Sequence, residues 1–170
     1  MTSSEGAGSA PSAQRDGYDK TCIFCKIANN EADTEILYSD RELACFRDVK
    51  PGARHHYLIV PKKHIGNCMT LRKEHVPLVE NMVEMGKSVL QKHVTDIEDV
   101  RLGFHVPPFT SVPHLHLHAL APASQMDASS LHMYGPQSCW FITADNLLKK
   151  LNSQSTFRTK PRRFFEAVWR

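Results

Sequence analysis

The sequence predicts an α+β domain, and three observations carry this prediction. The chain has 170 residues, which is enough to bury one hydrophobic core. Short apolar segments with strand character, separated by polar turns, occur in both halves of the chain. Between them lies one long segment with apolar residues at helical spacing. We therefore expect about five strands, one long helix inserted midway and one short helix near each end.

The first half contains the predicted N-terminal helix and three strands. Thr21 is a suitable N-cap for a short helix in TCIFCKIAN, residues 21–29. TEILYSD and ELACFRDV predict two strands around the polar turn at 39–41, which together form a hairpin. HHYLIVP, residues 55–61, reads as a buried strand that stops at its proline.

The second half contains the long helix, two further strands and a closing helix. Helical spacing relates four apolar residues of KEHVPLVENMVEMGKSVLQKHV: Leu78, Met82, Met85 and Val89. Proline is tolerated only in the first turn, so Pro77 places the start of this helix near Glu74. DVRLGFHV and PHLHLHAL predict strands, and TADNLLKKL predicts a short helix capped by Thr143.

The stretch PHLHLHAL places His114, His116 and His118 at every second position. Side chains two apart on a strand point to the same face, whereas a helix would scatter these rings over about 400° of rotation. The leucines between them would face a core and hold the imidazoles in place. Two uses remain open from the residues alone, because alternate histidines can chelate a transition metal or supply a neutral nucleophile.

Composition limits the class of protein. The formal net charge is +3, but residues 154–170 hold five basic residues against one glutamate, which leaves the rest of the chain at −1. A surface that binds nucleic acid would therefore have to lie in this tail or in a local patch of basic residues. Five cysteines, no apolar export signal and no apolar run of about 20 residues predict a soluble intracellular protein with reduced thiols.

Three regions follow from this composition. Residues 1–20 are rich in Ser, Gly and Ala and are expected to be disordered. Residues 21–152 form the folded domain, and residues 153–170 form a basic C-terminal tail that we also expect to be disordered. Aromatic residues interleave with the basic residues of this tail, so an interaction with single-stranded nucleic acid is the alternative.

HLHLHAL, preceded in order by CIFCKI and FRDVKPGARHHYLIVPKKHIGN, resembles the Hint branch of the histidine triad (HIT) superfamily from about Thr21 to Leu151. The resemblance implies a HIT-like fold with an antiparallel sheet, a homodimer, and a cytoplasmic and nuclear location. It also implies hydrolysis of AMP conjugates with amines and of acyl-adenylates, with purine preferred, through a covalent nucleotidyl-histidine. No cofactor is required for that chemistry, and no membrane is involved.

The same resemblance assigns the site residues. His116 is the nucleophile, His118 and His56 bind the phosphate oxygens, and Ser111 lies near the leaving group. Asp48 would hold the ribose hydroxyls. The purine slot is implied to consist of four apolar residues, for which core packing is an equally good account: Ile23, Phe24, Ile27 and Phe46.

A structural zinc site is implied by the same family pattern. Some members hold zinc with two cysteines and two histidines, which here correspond to Cys22, Cys25, His64 and His114. Two thiolates and two imidazoles suit tetrahedral Zn²⁺. Free thiols are the alternative.

One departure from the Hint pattern affects the contacts expected with the leaving group, and two alternative functions stay open. The loop before the triad, in GFHVPPFTSVP, is rich in proline instead of glycine and so has few free backbone donors. This segment is closer to the aprataxin type, which removes adenylate from nucleic-acid 5′ ends, and there His105 contributes to the pocket. The other alternative is a non-catalytic nucleotide-sensing or zinc-stabilised interaction module.

Overall fold

The computed structural model describes residues 16–154, which are built around a six-stranded antiparallel sheet. The strands lie in the order β1-β2-β3-β5-β4-β6. Their bounds are β1 Tyr38–Ser39, β2 Leu43–Arg47, β3 His55–Pro61, β4 Arg101–His105, β5 Leu117–Ala121 and β6 Phe141–Thr143. The predicted α+β class and antiparallel sheet are confirmed, with one strand more than expected. The sixth strand was missed because three residues are too few to show a period.

Four α-helices accompany the sheet: α1 Ile23–Ala28, α2 Val76–Leu90, α3 Ala128–Tyr134 and α4 Ala144–Asn152. The long helix begins at Val76, with Pro77 in its first turn, after a 3₁₀ turn at Lys73–His75. Thr143 caps α4 as predicted, its hydroxyl accepting from the Asn146 amide at 3.3 Å. Helix α3 was not predicted from the sequence.

The histidine-rich stretch is less regular than predicted. Strand β5 begins only at Leu117, so His114 and His116 lie in an extended segment before it. This segment leaves the ladder because its hydrogen bonds change partner: the Leu115 amide donates to the Ile65 carbonyl at 2.6 Å. The alternation nevertheless holds, since Leu115 and Leu117 join the main core while the histidines face the other side.

The sheet has one fully covered face and one face that is covered at its two ends. Helices α2 and α4 pack on the first face over the main core. On the second face, α1 covers one side through Phe24 and Ile27, and Tyr134 at the end of α3 covers the other side. The rings of His116 and His118 contact Phe24 and Tyr134 respectively. The histidines therefore lie between α1 and α3.

The described part of the predicted N-terminal segment, residues 16–20, lies against the domain. Its Gly17 carbonyl accepts from the His64 amide at 2.6 Å. Residues 1–15 and 155–170 lie outside the described residues, so the disorder expected there stays a prediction. Within residues 16–154, none of the helices combines the length and apolarity needed to cross a bilayer.

Candidate active site

His116 presents an unprotonated ring nitrogen in a nearly closed environment. Its Nδ1 lies 2.6 Å from the His114 carbonyl, and because a carbonyl can only accept, Nδ1 carries the proton. The Nε2 atom then holds a lone pair. The residue is only 6% exposed, and burial lowers the pKa of its imidazole. A neutral imidazole with its Nε2 lone pair unengaged is suited to nucleophilic attack.

A second chain of hydrogen bonds fixes the protons of His56 and His118. The Gly52 amide donates to His56 Nδ1 at 2.9 Å, so the proton of His56 is on Nε2. His56 Nε2 lies 2.9 Å from His118 Nδ1 and donates to it. The proton of His118 is therefore on Nε2, a buried donor that has no hydrogen-bond partner among the described residues.

An unpaired buried donor is costly, so its position indicates a site that a ligand completes. The ring of His118 lies 4.9 Å from that of His116, centroid to centroid. A lone pair on one imidazole and an N–H donor on its neighbour can together engage an electrophilic centre that bears negatively charged oxygens. Burial lowers the pKa of His56 to about 4 and that of His118 well below 6.5, so both rings are neutral at pH 7.

Asp48 lies beside this pair. Its Oδ2 is 3.4 Å from His56 Nε2 and 3.8 Å from His118 Nδ1. Its Oδ1 accepts from the Lys50 amide at 2.7 Å, which orients the carboxylate. The carboxylate thus faces the protonated nitrogen of His56.

The residues implied to contact the purine base and the leaving group differ in burial. Phe24 and Ile27 of α1 and Phe46 of β2 are buried in one apolar cluster, and the Phe24 ring meets the ring of His116 edge-on at 5.1 Å. Ile23 is 47% exposed and lies at the surface. Ser111 is also exposed, in the loop that leads into the histidine stretch.

Three residues that sequence reasoning missed or mentioned only for the alternative function complete the wall of the site. His105, at the end of β4, is buried, and its ring lies 4.6 Å from His118. Its Nε2 donates to the Met133 carbonyl at 3.1 Å. Tyr134 and Phe141 pack around the same rings. For Tyr134 the sequence did offer one signal: Asp127 is a good N-cap residue for the helix that ends at Tyr134, and its carboxylate accepts from the Ser130 amide at 2.8 Å.

The four side chains expected to hold zinc converge at the end of α1. Cys22 Sγ lies 3.3 Å from His114 Nδ1, and Cys25 Sγ lies 3.4 Å from His64 Nδ1 and 3.5 Å from His114 Nδ1. All four ligand atoms lie within 4.8 Å of one another. In a tetrahedral site with Zn–S of about 2.3 Å and Zn–N of about 2.0 Å, neighbouring S and N ligands stand about 3.5 Å apart. The donor set and its spacing fit zinc.

The surroundings of this cluster support metal ligation. His114 Nε2 lies 2.8 Å from the Pro61 carbonyl, so Nε2 carries the proton and Nδ1 is left to bind a cation. The Cys25 amide donates to Cys22 Sγ at 3.5 Å. Burial raises the pKa of the Cys25 thiol to about 11, so a metal would have to displace its proton.

Comparison with known proteins finds relatives over most of the chain. A family model described as "Scavenger mRNA decapping enzyme C-term binding" matches residues 21–134. Adenosine 5′-monophosphoramidase HINT3 of Xenopus tropicalis is 57% identical over 142 residues, covering 82% of this chain and 93% of that protein. HINT3 of Mus musculus is 49% identical over 148 residues, covering 85% and 90%. The expected resemblance to the Hint branch is confirmed.

Solved structures show the same fold. A HIT family hydrolase from Legionella pneumophila superposes with a TM-score of 0.56 at 34% identity, covering 59% of this chain and 91% of that one. Aprataxin of Danio rerio is 32% identical over 130 residues, but this match spans only 39% of aprataxin. The similarity to aprataxin is thus confined to part of that protein.

Proposed function

Because the chain belongs to the histidine triad family, we propose that it is an adenosine 5′-monophosphoramidase that acts through a covalent nucleotidyl-histidine at His116. One observation carries the proposal: the His116 ring, whose Nδ1 carries the proton, lies 4.9 Å from the ring of His118, whose Nε2–H has no partner among the described residues. The match to the relatives named adenosine 5′-monophosphoramidase covers nearly the whole length of those proteins. Acyl-adenylates, which carry a carboxylate leaving group on the same phosphorus through a P–O bond, are the second substrate class.

The reaction has two displacements at phosphorus. His116 Nε2 attacks the α-phosphorus, the P–N bond breaks, and the nitrogen takes up one proton from solvent and leaves as the amine. Water then attacks the same phosphorus and gives up one proton to solvent, the P–Nε2 bond breaks, and AMP leaves with the imidazole restored. The His118 N–H donates to a phosphoryl oxygen and stabilises the charge that develops in both transition states.

The nucleotide would lie on the α1 side of the histidines. There Asp48 can accept from the two ribose hydroxyls, and Phe24 and Phe46 form apolar walls for a purine. Ser111 is proposed near the leaving group, on the loop that precedes the histidines.

We also propose that Cys22, Cys25, His64 and His114 hold one zinc ion. A closed site with four protein ligands leaves no position for substrate, so the metal would be structural. It would fix α1 to the segment that carries His116, because the zinc ligand His114 lies two residues before His116.

The proposal is tested by AMP release from an adenosine 5′-phosphoramidate. The wild-type protein should release AMP, and His116→Ala should release none above background while retaining its thermal transition. His93→Ala, a change of an exposed histidine on the helix α2 side, is the matched control and should keep the wild-type rate. A His116→Ala protein with most of the wild-type rate would refute the nucleophile, and a wild-type protein that binds AMP without turnover would favour the non-catalytic nucleotide-sensing module.

A further inference from the structure

Two stacked aromatic rings, with a third packed edge-on against one of them, lie at the surface near the active site. The Phe109 and Trp140 rings lie parallel, with an interplanar angle of 12° and centroids 4.7 Å apart. The ring of His132 meets Trp140 edge-on at 4.6 Å. Phe109 is 43% exposed although one of its faces is covered by Trp140, so its other face points outward.

Two backbone connections place this stack next to the catalytic histidines. Trp140 immediately precedes Phe141, which pairs with His105 in the β4–β6 ladder, and its carbonyl accepts from the Val106 amide at 2.8 Å. Phe109 belongs to the loop that joins His105 to the histidine stretch, and its neighbour Thr110 lines a small cavity together with His105 and His116.

Helix α3, whose His132 packs against Trp140, also carries exposed apolar side chains. Leu131 and Met133 of α3 are 44% and 37% exposed, and the Met133 carbonyl accepts from the ring of His105. Single exposed apolar residues need no explanation, but stacked rings that adjoin further apolar groups at the edge of a reactive site indicate a ligand surface.

We propose that Phe109 and Trp140 form a subsite for the leaving group, and that it selects substrates whose amine or acyl group carries a flat aromatic ring. This inference rests on the proposed function. The position of the ring pair relative to the histidines is the reason for assigning it to the leaving group. Helix α1, with Phe24, borders His116 on the proposed nucleotide side. The ring pair lies near His105 and α3, on the opposite side. A group that leaves phosphorus must depart away from the attacking nitrogen and the nucleotide.

The physical basis of selection is stacking. An aromatic ring of the leaving group can lie on the exposed face of Phe109, and this face is already held in position by Trp140. The rigid pair loses little freedom when a ring binds, so the contact adds to affinity without a large ordering cost.

The kinetic test compares two substrates that differ only in the leaving group. The wild-type protein and the variants Phe109→Ala and Tyr38→Ala are each assayed with the adenosine 5′-phosphoramidates of benzylamine and of methylamine. The benzylamine-to-methylamine ratio of kcat/KM should fall roughly 5- to 10-fold in Phe109→Ala. It should stay at the wild-type value in Tyr38→Ala, which removes an exposed aromatic ring at the opposite edge of the sheet. This ratio does not depend on the fraction of protein that is folded.

A binding test separates failure of this inference from failure of the proposed function. His116→Ala protein is titrated calorimetrically with AMP and with the intact benzylamine conjugate, alone and combined with Phe109→Ala. Tighter binding of the conjugate than of AMP, lost in the double variant, supports the subsite even if the wild-type protein proves inactive. An unchanged kinetic ratio in Phe109→Ala, or equal affinity of the two variants for the conjugate, overturns it.

Discussion

At the scale of single residues, main-chain groups fix where the protons of the site lie. The His114 carbonyl holds the proton on Nδ1 of His116, and the Gly52 amide excludes it from Nδ1 of His56. Because both groups are backbone, no side-chain rotation is needed to prepare the site. His56 Nε2 donates to His118 Nδ1, so under the proposed mechanism His56 positions His118 and does not itself bind a phosphate oxygen, whereas the family resemblance implied that it does.

We therefore predict unequal and non-additive losses for these two histidines. His118→Ala should lower kcat/KM on the order of 10²- to 10³-fold, as expected when one donor to a developing oxyanion is removed. His56→Ala should cost less, since it only frees the orientation of His118. The double variant should match His118→Ala alone, because the role of His56 requires His118. Losses that multiply across the double-mutant cycle would show that the two act independently.

Gly52 has its own prediction, because its amide donates to His56 while its Cα lies close against Tyr134. A Cβ at this position would lie 2.6 Å from Cε2 of Tyr134. Gly52→Ala should displace the loop, weaken the hydrogen bond to His56 Nδ1 and lower both the rate and the melting temperature. Gly66→Ala is the control, since a Cβ there meets nothing within 4 Å, and steady-state kinetics with thermal denaturation compares the two. Equal behaviour of the two variants would refute this role.

At the scale of elements, the proposed zinc joins α1 to the histidine stretch. Helix α1 has only six residues and is too short to be stable alone, so its position depends on packing and on the cluster at its N-terminus. Cys22→Ser/Cys25→Ser should lose bound zinc and several degrees of melting temperature, but keep its activity per folded molecule. Metal analysis of protein prepared with zinc and without chelator is the measurement.

Cys139→Ser provides the control for this experiment, because Cys139 is exposed and lies outside the cluster. It should keep both the metal and the melting temperature. A wild-type protein that contains no zinc under these conditions would leave the cluster as free thiols.

Some helices and strands could be predicted from the sequence and others could not. The long helix and the alternation of histidine with leucine were predictable because each depends on a local period that the fold preserves. Strand β6 and helix α3 were not, because three and seven residues carry too little pattern, and their positions depend on contacts with β4 and the site. His105 was assigned to the pocket only for the aprataxin alternative, since a lone histidine on a strand carries no signal that it will meet His118 across the sheet.

At the scale of the whole molecule, the buried neutral histidines couple folding to pH. The pKa of His56 is lowered to about 4 by burial, and that of His118 falls well below 6.5, whereas the unfolded chain titrates near 6.5. Below pH 6.5 the unfolded state therefore binds more protons, and the stabilisation that is fully present above pH 6.5 is lost as the pH falls toward 4.

The melting temperature should accordingly decrease between pH 7 and pH 4, and the decrease should be shallower in His118→Gln, which removes one of the buried imidazoles. Calorimetric scans across this range measure the slope. Identical slopes for the two proteins would contradict the assignment. The homodimer and the cytoplasmic and nuclear location implied by the family resemblance stay predictions.

The central claim is that His116 becomes covalently attached to the nucleotide. Wild-type protein mixed with an adenosine 5′-phosphoramidate, quenched within a turnover and digested under conditions that preserve P–N bonds, should contain one peptide whose mass is increased by an adenylyl group on His116. His118→Ala should accumulate the same adduct more slowly, and His116→Ala should contain none. An adduct on another residue, or AMP release with none formed at any time, would contradict the account.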